Sequence, residues 1–398
     1  MDYNERQRAQ LWLYTYVCPA IDKFRRILRE IGSPEEIFAA PPGALEKFVG
    51  ADKLARMRRQ NSAGFVDALL ERLHARGVSF VCRGDEDYPQ CFEDMQDFIV
   101  PPEVLFMRGE RAVLNGRAVA IVGTRSADNE GMEIARDFAR DFARAGVNVI
   151  TGMALGIDAA AAEGALDGGG RVLGVMGCGV DVPYPADNQK LVRRMLDSGS
   201  ALVSEYLPTT KGMAPFFPVR NRIMAALAEI TLIVQAPRRS GALNTASHAL
   251  NCGHDVFVVP GSIRDARYAG SNALLRDGAA PALESRDVLE AMGMSRGERT
   301  TRQAADGAAQ AGRQVRGAAE RACASGASSA NRPKPSLTDD ELSVVRLLYE
   351  REHSFDEIVS QTDLDTAKLN SLLTMLKIKG IIYETTGKHY RIKDRTET

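Results

Sequence analysis

Disulfide scaffolding, metal chelation and membrane insertion all lack a basis in this sequence. Its six cysteines (Cys18, Cys82, Cys91, Cys178, Cys252 and Cys323) are scattered and form no Cys-x-x-Cys pair, which argues against a disulfide framework and against a thiolate zinc site. The five histidines show no His-x-x-x-His or His-Glu-x-x-His spacing, so no metal and no other cofactor is expected. Long apolar runs are missing too. Residues 11–17 are apolar but short, and Glu5, Arg6, Arg8, Asp22 and Lys23 flank them, which excludes a spanning helix and a signal peptide. The expected location is the cytoplasm, with reduced thiols and no membrane partner. Neither sign of charge dominates: 51 Lys and Arg stand against 52 Asp and Glu, a net charge of −1. A uniformly basic coat for nucleic acid is thereby excluded, and any such affinity must come from a local patch. What is present is an ordinary globular composition, 44% hydrophobic and 26% charged over 398 residues, enough for two or three domains each with its own core.

The patterning divides the chain. Residues 1–76 read as a small all-helical domain of the helix-hairpin-helix or SAM kind. In it Ser33-Pro34-Glu35-Glu36 supplies a capping serine, a proline at the first helical position and a glutamate at the third, which together start a helix. Pro41-Pro42-Gly43 stops it, and residues 52–76 read as one long amphipathic helix. Its arginines either contact phosphate or simply solvate a helix face. Over 77–290 apolar strands (78–81, 118–122, 148–151, 171–175, 201–204, 231–235 and 256–259) alternate with helical stretches (around 132–142, then 157–167, 187–197, 220–228 and 241–251). That alternation predicts an α/β class, a Rossmann-like, mostly parallel sheet covered on both faces, with ligands beyond the carboxyl ends of its strands. Residues 291–336 read as a flexible basic linker; 296–335 carry eight cations against three anions, a net +5. Residues 337–393 read as three helices (338–351, 355–361 and 365–379) and a hairpin (381–384 with 389–392), which is a winged helix.

Several strand ends carry chemistry. Strand 118–122 runs into Gly123-Thr124-Arg125-Ser126 ahead of a helix, where glycine permits close backbone approach and the helix start offers N–H groups to an anion. Neither Gly-x-Gly-x-x-Gly nor Gly-Lys-Ser/Thr occurs, so dinucleotide binding and nucleotide hydrolysis find no support. Arg125 is either a phosphate clamp or a structural ion-pair partner. Gly152 and Gly156 bracket a second loop that ends at Asp158, a carboxylate suited to orienting loop amides or favouring the helix dipole. Cys178, between Gly177 and Gly179, has no histidine nearby in sequence and is not expected to be a nucleophile. The densest signal is Phe216-Phe217-Pro218-Val219-Arg220-Asn221-Arg222, preceded by Lys211. Aromatic faces beside guanidinium groups suit a single-stranded nucleic acid, although an aromatic pair also suits a core. Arg239-Ser240-Gly241 adds another basic loop. In a parallel sheet Arg125, Arg220, Arg222 and Arg239 would meet on one rim.

At these residues the chain resembles the bacterial DNA-processing protein A family (DprA, also called Smf). The resemblance rests on Ile121-Val122-Gly123-Thr124-Arg125, Gly152-Met153-Ala154 with Gly156-Ile157-Asp158, Phe217-Pro218 with Arg220-Asn221-Arg222, Ser240-Gly241-Ala242 and Val258-Val259-Pro260-Gly261-Ser262. It implies a non-catalytic protein of natural transformation that binds and protects incoming single-stranded DNA, assists loading of the recombinase RecA, and forms a homodimer through its Rossmann-like domain. The implied DNA-binding residues are Gly123, Thr124, Arg125, Gly152, Gly156, Lys211, Phe217, Arg220, Asn221, Arg222, Arg239, Ser240 and Gly241. The sequence departs from the family pattern at Leu155, Gln235 and Asn244, where relatives often carry a polar residue, a glutamate and an apolar residue, and in the loop 207–212. The competing expectations are a Rossmann-like nucleotide-processing enzyme, such as a nucleotide phosphoribohydrolase, and a transcription factor built on the winged helix. Against the former, Pro237-Arg238-Arg239-Ser240-Gly241-Ala242-Leu243-Asn244-Thr245 lacks the catalytic glutamate of such enzymes.

Overall fold

The computed structural model describes residues 3–94 and 100–294, and beyond them residues 344, 348, 353–354, 357–358, 362, 369, 373, 382–385 and 389–392. Two compact units result, Met1–Arg299 and Thr300–Thr398. Most of the linker expected at 291–336 and of the three helices expected at 338–379 lies outside the described residues.

The first unit begins with helices α1 (Glu5–Val17), α2 (Ile21–Ile31), α3 (Pro34–Ala39), α4 (Ala51–Arg59) and α5 (Ala63–Ala75). The capping motif at Ser33 forms as its residues dictate: the Ser33 hydroxyl accepts from the Glu36 N–H, and the Glu36 carboxylate accepts from the Ser33 N–H. The single helix expected over 52–76 is instead two. Ser62 caps α5 by accepting from the Phe65 N–H, while Trp12 Nε1 donates to the Gln60 carbonyl at 3.0 Å and Asn61 Nδ2 to the Phe38 carbonyl at 2.8 Å. These tertiary bonds hold the chain open at 60–62, where helical periodicity alone reads straight through. The helices are not a separate body but pack on the sheet that follows, with Leu11, Trp12, Tyr14 and Phe24 sharing one core with Phe80 and Phe106. Tyr3 stacks on Phe80 with ring centroids 4.1 Å apart.

Among the described residues that sheet has nine strands: β1 (Ser79–Cys82), β2 (Val104–Gly109), β3 (Ala118–Val122), β4 (Asn148–Thr151), β5 (Val172–Val175), β6 (Ala201–Ser204), β7 (Ile230–Ile233), β8 (Asp255–Val258) and β9 (Ala280–Pro281). Their order is β1-β2-β6-β5-β4-β3-β7-β8-β9. Pairing is parallel from β6 through β9 and antiparallel only at β1–β2 and β2–β6. The expected mostly parallel sheet is thus present, with β2 and β9 as additions to the expected strands.

The chain connects these strands through α6 (Cys91–Asp94), α7 (Asn129–Arg144), α8 (Ile157–Asp167), α9 (Gln189–Asp197), α10 (Phe216–Leu227), α11 (Gly241–Asn251), α12 (Ser271–Arg276) and α13 (Ser285–Ala291). Alternate residues of the buried strands face opposite layers. Val119, Ile121 and Val149 pack with Ala135, Ala139 and Ala161 of α7 and α8. Ala120, Val122 and Ile150 pack with Ile223 and Met224 of α10 and Ala246 of α11. Strand order reverses at β3: β4, β5 and β6 lie to one side and β7, β8 and β9 to the other. A crevice therefore opens beyond the carboxyl ends of β3 and β7, where ligands of open α/β sheets bind.

In the second unit, β10 (His353–Ser354), β11 (Ile382–Thr385) and β12 (His389–Ile392) form a sheet in the order β10-β12-β11. The expected hairpin is there, with Ile382 opposite Ile392.

Candidate nucleic-acid interface

A pocket of about 550 Å³ occupies the crevice at the reversal point. Its walls come from the loop after β3 (Gly123, Thr124, Arg125), the start of α10 (Phe217, Pro218, Arg220, Asn221) and the start of α11 with the loop before it (Arg239, Ser240, Gly241, Asn244, Thr245). The two strand ends are tied together, since the Thr124 N–H donates to the Gln235 carbonyl at 2.7 Å. Ser240 caps α11, its hydroxyl accepting from the Ala242 N–H at 3.2 Å, so the N-terminus of an eleven-residue helix opens on the pocket.

Three side chains form a stack across the mouth. The Phe217 ring lies against Tyr184, centroids 5.0 Å apart and planes 29° apart, and the Arg125 guanidinium sits 5.6 Å from the Phe217 centroid. Phe217 can lie this low because the neighbouring wall is glycine: a Cβ at Gly177 would stand 2.7 Å from its ring. Tyr184 is 40% exposed. Arg125 and Arg239 are exposed and take part in no ion pair among the described residues.

Beneath the stack lies Arg220, only 4% exposed. Its Nη1 donates to the Gly152 carbonyl at 2.8 Å and to the Val175 carbonyl, and its Nε to Asn221 Oδ1 at 3.2 Å. Burial pushes its pKa down to about 10, with buried Asp158 opposing the shift and Arg125 adding to it, so at neutral pH the floor of the pocket is a desolvated cation. Asp158 Oδ2 accepts from the Gly152 N–H at 2.9 Å. Burial raises the Asp158 pKa, against the pull of Arg220 and of the N–H groups of Ala154, Gly152 and Gly123. The Cys178 thiol, fully buried, is pushed up to about 11 by that burial, which suits an inert packing residue.

The sequence-derived residues do not all meet. Gly123, Thr124, Arg125, Phe217, Arg220, Asn221, Arg239, Ser240 and Gly241 line the pocket, and Gly152 lines an adjoining recess with Arg125, Tyr184 and Phe217. Gly156 acts through its backbone: at φ +76° it turns the loop so closely that a Cβ would stand 2.4 Å from the Thr124 carbonyl oxygen. Lys211 is exposed and sits outside the lining. Arg222 corrects the expected rim. It is 7% exposed, and its Nη2 is paired at 2.7 Å with the buried carboxylate of Glu205. Residues two apart on a helix point roughly 200° apart, so Arg220 and Arg222 of α10 face opposite ways. Tyr184 is the functional candidate missed in the sequence; its signal is an aromatic residue held between Pro183 and Pro185 in a long loop.

Comparison with known proteins decides the family. The family model described as DNA recombination-mediator protein A matches residues 79–293, more than half of the 398 residues. The chain belongs to the DNA recombination-mediator protein A family. The model of the DprA winged helix domain matches residues 328–388. Among curated relatives, the DNA processing protein DprA of Bacillus subtilis is 33% identical over 223 residues, 56% of this chain and 74% of that protein. The protein Smf of Synechocystis is 29% identical over 87% of this chain and 86% of its own length. Among solved structures, DNA processing protein A from Streptococcus pneumoniae aligns with TM-score 0.60 and 26% identity, covering 73% of this chain and 98% of that one. Among the described residues no helix is long and apolar enough to cross a membrane.

Proposed function

We propose that this member of the family binds single-stranded DNA in the pocket at the reversal point, with no chemical step. The observation that carries the reading is the Arg125–Phe217–Tyr184 stack, which lines one pocket with the exposed Arg239 and the buried Arg220. Aromatic faces accept unstacked bases of any sequence, and guanidinium groups grip the connecting phosphates. A duplex keeps its base faces covered by their neighbours and offers nothing to the stack. Among the described residues Asp158 is the one carboxylate that lines the pocket, and the Gly152 N–H engages it. This supports binding over the hydrolysis that a nucleotide-processing enzyme would perform.

The same reading carries the family's wider role: protection of incoming single strands during natural transformation, assistance in loading the recombinase RecA, action as a homodimer through the Rossmann-like domain, and a cytoplasmic location. Of the residues implied by the resemblance, Arg125, Phe217, Arg220 and Arg239 are proposed to touch DNA, Thr124, Ser240 and Gly241 to offer loop and helix-start groups to phosphate, and Gly123, Gly152 and Gly156 to shape the wall. Lys211 is proposed as a peripheral phosphate contact.

Fluorescence anisotropy with oligothymidylate and with a duplex of equal length, at two salt concentrations, tests the proposal. The expected result is preference for the single strand and a log–log salt slope of about −2, from three phosphates at roughly −0.7 each. Equal affinity for the two forms, or unchanged affinity in a folded Arg125→Ala/Arg239→Ala variant, would overturn it.

A further inference from the structure

The amide groups of the pocket wall have an orientation that their neighbours fix. Arginine can only donate, so the Asn221 atom that receives Arg220 Nε at 3.2 Å must be the carbonyl oxygen Oδ1. The other terminus of Asn221 is then Nδ2, which donates to the Gly241 carbonyl at 3.2 Å and to Asn244 at 3.1 Å. The receiving Asn244 atom must in turn be Oδ1. One buried guanidinium thus sets two amides in series, and Asn244 Nδ2 is left as the outermost group. Asn244 lines the pocket, and its Nδ2 has neither a partner among the described residues nor a place among the walled-in polar atoms. The pocket wall therefore presents a group that donates and cannot accept.

We propose that Asn244 meets the C4 edge of a pyrimidine or the C6 edge of a purine and makes the pocket selective for a keto oxygen there, as in thymine and guanine, over the amino group of cytosine and adenine. A keto oxygen completes the Asn244 amide, whereas an amino group sets donor against donor and leaves both unsatisfied. The inference rests on the single-stranded DNA reading of the same pocket. It adds a base preference to a site whose stacking and phosphate contacts are indifferent to sequence.

Oligodeoxyuridylate and oligodeoxycytidylate of equal length are suitable probes, because uracil and cytosine differ in the keto oxygen and amino group at C4 and in the proton at N3. Anisotropy at pH 8, where cytosine is unprotonated, is expected to show uridylate binding about 2- to 12-fold more tightly, the range of one hydrogen bond. Asn244→Leu should bring the ratio to about one. Asn244→Asp keeps one oxygen for Asn221 and turns an acceptor toward the base, so it should favour cytidylate; its negative charge weakens both probes, and the ratio remains the readout. Thermal melting checks that the variants are folded. A wild-type ratio of one with tight binding of both probes would overturn the base preference alone. So would an Asn244→Leu variant that weakens both probes equally, since Asn244 would then be a phosphate contact. Failure of the folded wild-type protein to bind either probe would overturn the single-strand reading itself.

Discussion

Arg222 distinguishes a residue that holds the site together from one that grips a ligand. Its partner Glu205 is 2% exposed, so Arg222→Ala strands a carboxylate in the interior, at a cost of about 3 to 5 kcal/mol. For a unit of 299 residues that is a fall in melting temperature of about 5 to 8 °C. The pair is imperfectly satisfied, since Arg222 Nη1 and Glu205 Oε1 are buried without hydrogen-bond partners. Removing both charges together should therefore give up little: Arg222→Met/Glu205→Met is expected within about 1 kcal/mol of the wild type. Urea unfolding of the two single variants and the double variant supplies the stabilities. Anisotropy with oligothymidylate, under conditions where Arg222→Ala remains folded, supplies the affinities. The affinity should change by less than about threefold, under about 0.7 kcal/mol, because the guanidinium faces away from the pocket. If Arg222→Ala instead kept its stability within about 1 kcal/mol and lost tenfold in affinity, the internal pairing would be refuted and the rim expected from the sequence restored.

Phe217→Ala should weaken single-strand binding by about 5- to 150-fold, the equivalent of about 1 to 3 kcal/mol for one stacked base, while Phe217→Trp should retain binding; the same anisotropy titration reads both. Gly152→Ala places a Cβ 2.4 Å from Arg220 Nη2. The variant should displace the guanidinium from the pocket floor and lower single-strand affinity, and a crystal structure with Arg220 unmoved would contradict this. Asp158 gives a pH dependence of definite sign. Because burial raises its folded-state pKa above the ordinary 3.8, the folded state takes up a proton before the unfolded state does. The stability of the wild type relative to Asp158→Asn should therefore rise as pH falls through the folded pKa toward 3.8, and level off below it. Urea unfolding across that window checks the sign.

Much of the fold was legible because one physical signal dominated each stretch. Residues 118–122 are apolar on both faces, as are the central Val149 and Ile150 of β4, which suits strands buried between two helical layers, and α8 and α11 occupy the expected 157–167 and 241–251. Where several signals competed, the reading failed. β2 follows Pro101-Pro102 and ends in Arg108-Gly109, so turn residues on either side hid a strand whose partners, β1 and β6, are distant in sequence. The break between α4 and α5 is invisible to periodicity, since Trp12 and Asn61 enforce it through bonds to Gln60 and Phe38. In the site, composition named the residue types while orientation remained open. The helical repeat already forbids Arg220 and Arg222 from facing one ligand, although it leaves open which of them faces the pocket.

The placement of Arg220 bears on how the pocket would work. Burial lowers the Arg220 guanidinium pKa from 12.5 to about 10, with Arg125 adding to the shift and Asp158 opposing it, so the charged arginine is held at a net cost. The Gly152 and Val175 carbonyls and the Asn221 oxygen offset part of it. Buried Asp158 offsets a further part, and what remains calls for a second counter-charge. A phosphate entering the pocket would supply one without having to strip water from the arginine, which burial has already done. The exposed Arg125 and Arg239 must shed their own hydration on contact and are screened by salt until they do. Each phosphate releases its counterions on binding whichever arginine takes it, so all three arginines share the salt slope, while the floor arginine should contribute the larger part of the affinity that remains at high salt. This division follows from the fold: α10 crosses beneath the strand ends at the reversal point and carries Arg220 inward, while the loops after β3 and β7 carry Arg125 and Arg239 outward.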